Sequence, residues 1–472
     1  MSLPTIIQGG MGAGVSSWAL ANTVSRAGQL GVVSGTALDV ILARRLQLGD
    51  IGGHMRRALK QFPIPAMAEE IIERYFVPDG KGAGDKFRSI SQVGEVMSEA
   101  RTQLTVVANF VEVFLAREGH DNDVGVNYLE KIQFPNLPSI FGALLGGAGY
   151  ILMGAGIPVA IPGVIDRLTL GQAVELRLDV QDATSKYFME FDPAPYLPNG
   201  AEGLVRPKFL AIVSSVTVAS VMVKKGSGRT DGLIIEGATA GGHNAPPRGQ
   251  LQLDDKGEPV YGKRDIPNIE GIAALGIPFW LAGSCGSPEE LNSAIAHGAT
   301  GVQVGTAFAF CSDSGLDEGL RQRAMVQIKA GTIRVKTDPL ASPTGFPFKI
   351  LEMEGTLAMQ DLFEERPKIC DLGYLRQPYE TSEGRFGWRC ASEPDQQYER
   401  KGGQPEKITG RKCVCNGLLA NIGMAQVKRG GKLELPLITC GDDLDVVRRL
   451  AAASGGDYGA TDVLDYLLSP VV

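Results

Sequence analysis

A histidine at the end of a glycine-rich turn is the side chain of this chain best placed to do chemistry. The apolar run Gly232-Leu-Ile-Ile235 leads through Glu236-Gly-Ala-Thr-Ala into Gly241-Gly242-His243. An imidazole just beyond the carboxyl end of a strand stands where a parallel barrel keeps its reactive groups, and its ordinary pKa lets it move protons near neutrality. Two later loops suggest an anion. Ala282-Gly283-Ser284-Cys285-Gly286 and Gly305-Thr306 each close a short apolar run. Glycine there exposes backbone N–H groups to a phosphate, so a phosphorylated cofactor or substrate is implied. A third group is Cys370, Cys390, Cys413 and Cys415, set in a basic, glycine-rich stretch. Four thiolates can hold zinc or an iron–sulfur cluster, but this irregular spacing fits separate reduced thiols better.

The elements that must position these groups form a repeating series. Apolar, β-branched runs occur at Thr5–Gln8, Leu30–Ser34, Val124–Leu129, Tyr150–Met153, Phe209–Val213, Gly232–Ile235, Pro278–Ala282 and Gly301–Val304. Most are separated by amphipathic segments of helical length, such as Ser287–His297, which has proline at its first position and carboxylates in its first turn. Eight strand–helix units predict an α/β fold closed as a (β/α)8 TIM barrel over residues 1–365. Three interruptions are expected: a helical insertion at 54–123 and small hairpins at 171–200 and 250–265. The run from Arg334 to Phe348 reads as an ordered loop. From about residue 366 the alternation stops, so 366–472 reads as a C-terminal accessory domain.

Composition narrows the function classes. The chain has 472 residues, with 46 basic against 53 acidic and a net charge of -7. No lysine or arginine run exceeds a pair, which argues against nucleic-acid binding. No apolar stretch approaches the ~18 residues of a membrane span, and the amino terminus lacks the pattern of a signal peptide, so a cytoplasmic location is expected. Seven cysteines without the framework spacing of a small secreted domain fit reduced thiols better than disulfides.

Together, Gln8-Gly-Gly-Met-Gly-Ala-Gly-Val-Ser16, Gly125-Val-Asn127, Thr239-Ala-Gly-Gly-His243, Ala282-Gly-Ser284 and Gly305-Thr306 resemble nitronate monooxygenases, also called 2-nitropropane dioxygenases. The resemblance covers roughly residues 1–350. It implies FMN with its phosphate on Gly283, Ser284, Gly305 and Thr306 and its ring over Gly10 and Met11. Asn127, Ser214, Gly241 and Gly242 would be further contacts, and His243 the catalytic residue. The implied activity is oxidation of nitronates or other stabilised carbanions with O2. The insertion, the Asn-Ala-Pro-Pro-Arg sequence after His243 and the long C-terminal extension look more like stand-alone enoyl reductases of polyunsaturated fatty acid and polyketide synthases. That alternative implies NAD(P)H as reductant, an enoyl thioester as substrate and an acyl carrier protein as partner. A homodimer is a candidate assembly. The substrate, the nicotinamide preference and the contents of the cysteine group stay open at this stage.

Overall fold

In a computed structural model, which describes residues 3–94 and 96–471, eight parallel strands form one sheet. They are Ile6–Gln8, Gly31–Ser34, Val124–Leu129, Tyr150–Gly154, Lys208–Val213, Gly232–Glu236, Phe279–Ala282 and Gly301–Val304, called the first to eighth strands below. Each pairs in parallel with the next from the second onward, and the eighth pairs with the first. Leu30 closes the ring. Its N–H donates to the Ile6 carbonyl at 3.1 Å, and its carbonyl accepts from the Gln8 N–H at 2.9 Å. The expected α/β barrel is therefore the observed fold, with strand ends shifted by a residue or so.

The period of two along each strand explains what fills the barrel. Ile7, Val32, Leu152, Leu210, Ile234 and Trp280 pack together inside it as a compact apolar cluster, while alternate residues face the surrounding helices. Trp280 lies low in the barrel, where its indole N–H donates to the Pro4 carbonyl at 2.8 Å. The other end is left to loops.

The region expected as a helical insertion is more closely built in than that reading implies. It holds helices His54–Leu59, Pro65–Tyr75 and Glu99–Arg117. The last of these packs on Trp18–Arg26, Leu38–Gln47 and Gln133–Leu145, so it forms part of the outer helical layer. Within 171–200, Val174–Leu178 and Tyr187–Phe191 pair antiparallel. Within 250–265 there is one bridge, Leu253 with Pro259. The Arg334–Phe348 stretch differs from the expected loop, because Val335–Asp338 pairs with Phe348–Leu351 and only the connection between them is irregular.

We propose residues 366–472 as an accessory unit. Its last two helices, Asp445–Ala453 and Ala460–Leu467, pack on barrel elements, the latter between Trp18–Arg26 and Pro288–Ala296. No helix among the described residues is long and apolar enough to cross a membrane.

Closure has little room to spare at Gly301. A Cβ there would lie 1.8 Å from the Thr5 carbonyl oxygen, whose own bond to the Val302 N–H joins the first and eighth strands. Gly301→Ala should lower stability by about 1–3 kcal/mol or more. Urea unfolding checks it, and an unchanged midpoint would refute the tight closure.

Candidate active site

The carboxyl ends of the strands open into two adjoining cavities. The first is lined by Gly9–Gly12, Asn127, Glu236, Gly241, Gly242, Ala282–Gly286, Gln303–Ala307, Thr439–Gly441 and Asp443. The second shares Gly10, Gly12, Asn127, Ile212, Glu236, Gly241, Gly242 and Thr439 with it. It then runs under His243, Phe348, Tyr374, Leu375, Val414, Cys415, Leu418 and Leu419.

Local hydrogen bonding holds the floor. Gln8 ends the first strand with its side chain buried, accepting from the Val32 N–H at 3.0 Å and donating to Ser16 Oγ at 2.9 Å. Ser16 Oγ accepts from the Met11 N–H and donates to the Gly9 carbonyl, both at 2.8 Å. The Gly9–Met11 turn is thereby pinned. At Gly10 an added Cβ would come 2.4 Å from Asn127 Cβ, so the turn can approach the third strand only as glycine.

Whether this cavity suits a flavin can be judged from its polar atoms. Asn127 Oδ1 and Gln303 Oε1 are buried without a hydrogen-bond partner, and both residues line it. Buried carbonyl oxygens normally find donors, and a flavin ring with its sugar chain carries them. At the loop after the seventh strand, Gly283 and Ser284 have φ of +97° and +53°. Such successive turns form backbone concavities suited to anions. No lysine or arginine lines the cavity, so a phosphate there would be held by backbone and hydroxyl donors. Thr306 Oγ1 accepts from the Gly441 N–H at 2.9 Å and keeps its own O–H to give. The Asp443 carboxylate also lines this cavity, with Oδ1 accepting from the N–H groups of Asp445 and Val446. The residues fit FMN.

The expected site residues are mostly brought together. Gly10, Met11, Asn127, Gly241, Gly242, Gly283, Ser284, Gly305 and Thr306 line the first cavity, and His243 lines the second. Ser214 lines neither of these two, but the cavity it does line is shared with Glu236 and His243. It lies two residues beyond the inward-facing Ile212, on a third cavity with Arg248, Tyr261 and Asp265, and its carbonyl accepts from Arg248 Nη2 at 3.5 Å.

His243 is held by the hairpin after the eighth unit. Its Nε2 is 2.6 Å from Ser342 Oγ, which is 2.8 Å from Thr344 Oγ1, and its ring lies 4.8 Å from that of Phe348. Burial, reinforced by the positive charge of Lys131, lowers its pKa to about 3. It is a neutral imidazole at ordinary pH. Burial also lowers Lys131, to about 8, against an opposing pull from Glu130. Glu236, at the end of the sixth strand, is pushed up to about 7 by desolvation. Among the groups lining both cavities, it is therefore the carboxyl that titrates near neutrality.

Gln303, Glu236, Ser342 and Thr439 escaped the sequence reading. For the first two a signal existed, since a polar residue near the end of an apolar barrel strand points at the site. Ser342 and Thr439 reach it only by tertiary folding.

Comparison with known proteins places the chain in context. Residues 203–340 match the family model of nitronate monooxygenase, and the chain is related to that family. It is 32% identical over 124 residues to a probable nitronate monooxygenase of Bacillus subtilis (strain 168), covering 26% of this chain and 33% of that protein. It is 26% identical over 144 residues to (3aS,4S,5R,7aS)-5-hydroxy-7a-methyl-1-oxo-octahydro-1H-indene-4-carboxyl-CoA dehydrogenase of Mycobacterium tuberculosis (strain ATCC 25618 / H37Rv), covering 30% and 36%. The chain thus spans about a third of the length of these curated relatives. Among solved structures, FabK from Thermotoga maritima aligns over 98% of this chain and 91% of its own, with 15% identity and a TM-score of 0.49.

The raised pKa of Glu236 makes a stability prediction. The folded carboxyl keeps its proton up to about pH 7, whereas its ordinary pKa is 4.5. Between those values the folded state binds more protons than the unfolded one, so stability falls as pH rises through this window. About 2.5 units correspond to up to about 3 kcal/mol. Glu236→Gln removes this slope. Urea midpoints from pH 4 to 8 should diverge between the two proteins above pH 5, and parallel curves would remove Glu236 from the account.

Proposed function

We propose that this chain is an FMN-dependent oxidoreductase of nitronate monooxygenase type, acting on nitronates or similarly stabilised carbanions with O2, in the cytoplasm. The observation carrying this reading is the pair of unpartnered buried carbonyl oxygens, Asn127 Oδ1 and Gln303 Oε1, in a cavity ringed by Gly10, Gly283, Ser284, Gly305 and Thr306. Bound FMN would supply electron acceptance from the substrate and transfer to oxygen. Asn127 and Gln303 would hold its ring and sugar chain, and the loops after the seventh and eighth strands its phosphate.

The protein side chains then decide what the substrate must be. A histidine whose pKa has fallen to about 3 is a weak base for removing a carbon-bound proton, because a general base works best with a pKa near the working pH. It is well suited to hydrogen-bond an oxygen that already carries charge. His243, oriented through Ser342, therefore supports a substrate that arrives as the anion. Glu236 is the group able to take up or release a proton at neutral pH beside it. Leu375, Val414, Leu418 and Leu419 give the second cavity an apolar wall that favours an alkyl substituent and keeps bulk water out.

That same wall favours a second reading, a trans-acting NAD(P)H-dependent enoyl reductase. An apolar cavity of this kind also accepts an acyl chain, delivered by an acyl carrier protein.

The purified protein should be yellow, with about one FMN per chain. Anaerobic addition of an alkyl nitronate should bleach the flavin, and NADPH should not. Bleaching by NADPH followed by reoxidation with a crotonyl thioester would select the second reading, and protein that refuses added FMN would overturn both. His243→Ala should retain FMN but lose about 10²–10³-fold in kcat/KM toward the nitronate. Steady-state oxygen consumption measures that loss, and undiminished turnover would remove His243 from the chemistry.

A further inference from the structure

The four cysteines of the C-terminal part, carried by separate elements between residues 370 and 415, converge. Cys370 follows helix Gln360–Glu365, Cys390 follows strand Phe386–Arg389, Cys413 precedes helix Val414–Ala420, and Cys415 lies inside it. All four line one hollow together with Arg366 and Arg376, and all are free thiols. Chance would rarely gather four of the seven cysteines around one void.

A second, independent feature points into the same place. Arg366 is anchored to Glu434 through two of its nitrogens, Nε to Oε1 at 2.8 Å and Nη2 to Oε2 at 2.6 Å. Its side chain is only 5% exposed; Nη1 makes no hydrogen bond of full geometry, and the side chain it interacts with besides Glu434 is Cys413. The remaining donor of this buried guanidinium, Nη1, stands on the wall of a cysteine-lined hollow and is not met by a carboxylate. Neutral thiols accept weakly, whereas thiolates and inorganic sulfide accept well from a charged donor.

The arrangement also distinguishes the kind of metal group. Four thiolates around a single zinc ion each lie about 2.3 Å from it and so crowd together. Among the described residues, no group of three or more His, Cys, Asp or Glu is placed to hold a single metal ion. In an iron–sulfur cluster the thiolates bind different irons, so their sulfurs lie further apart, around the edge of a void. We propose that Cys370, Cys390, Cys413 and Cys415 ligate an iron–sulfur cluster, with Arg366 donating a hydrogen bond to its sulfur.

The location has a consequence. Leu375, Val414 and Cys415 line both this hollow and the cavity of His243, so the two share a wall. A cluster here would be a one-electron centre beside the redox site.

The test is metal analysis of the full-length protein, isolated without oxygen and then incubated with ferrous iron, sulfide and thiol before desalting. Expected are iron and acid-labile sulfide in equal amounts, and a low-temperature electron paramagnetic resonance signal on one-electron reduction that FMN alone does not give. Cys390→Ala and Cys413→Ala should each lose most of the iron, at least fivefold, while Cys311→Ala, remote from the hollow, should keep it. Wild-type protein that takes up no iron and sulfide overturns the proposal whatever the variants do. So does one equivalent of zinc in place of iron, or disulfides among the four cysteines found by mass spectrometry. Flavin content is measured on the same samples, so a failed cluster and a failed flavin site are told apart.

Discussion

Gln8 is the side chain on which the mouth of the barrel depends. A buried primary amide must have its polar atoms satisfied, and the partners available to Gln8 are those that define the site. It accepts from Val32 on the second strand and donates to Ser16 at the start of the first barrel helix. Ser16 in turn holds the Gly9 carbonyl and the Met11 N–H. The same residue therefore helps to close the ring of strands and fixes the turn over which a flavin would lie. Satisfying one buried group sets the geometry of a second, which is why the turn needs no rigidity of its own.

Much of this was legible from the sequence. Barrel strands buried on both faces are short apolar runs, and the glycine loops after the seventh and eighth strands announce themselves because glycine is costly anywhere it is not needed. His243 stood out for the same reason. Gln303 did not. In Gly301-Val-Gln-Val304 a single glutamine looks like an interruption, and only the parity of the strand, which turns Gln303 the same way as the lining residues of its neighbours, gives it a role. Ser342 was hidden differently, since it reaches His243 from 99 residues away through a hairpin whose proline and glycine content suggested a loop.

The accessory region posed the harder problem because its ties are ionic and long-range. Arg44 meets Asp371 at 2.8 Å, and Arg101 meets Asp39 at 2.7 Å while donating to the Tyr374 hydroxyl at 2.9 Å. Tyr374 also donates to Asp39. Buried ion pairs add little net stability, because desolvation offsets the attraction, but breaking one partner costs several kcal/mol. Their effect here is on register. They hold Tyr374 and Leu375 over the second cavity, and no local pattern in the sequence could have revealed Arg44–Asp371, Arg101–Tyr374 and Asp39–Tyr374, which are 327, 273 and 335 residues apart.

That roof turns the barrel from an open bowl into an enclosed site. The strands and their loops form most of the glycine-lined part, to which the C-terminal part adds Thr439–Gly441 and Asp443. The apolar wall of Leu375, Val414, Leu418 and Leu419 comes entirely from the C-terminal part, so under the proposed function the choice of substrate would rest on elements outside the eight strand–helix units. The anchoring runs both ways. Thr439 accepts from the Gly242 N–H at 3.1 Å, beside His243, and the Gly441 N–H donates to Thr306 in the loop after the eighth strand. A change that loosens residues 437–441 would therefore disturb cofactor and substrate contacts together. The site is thus built jointly by the barrel and its extension, and neither part contains it alone.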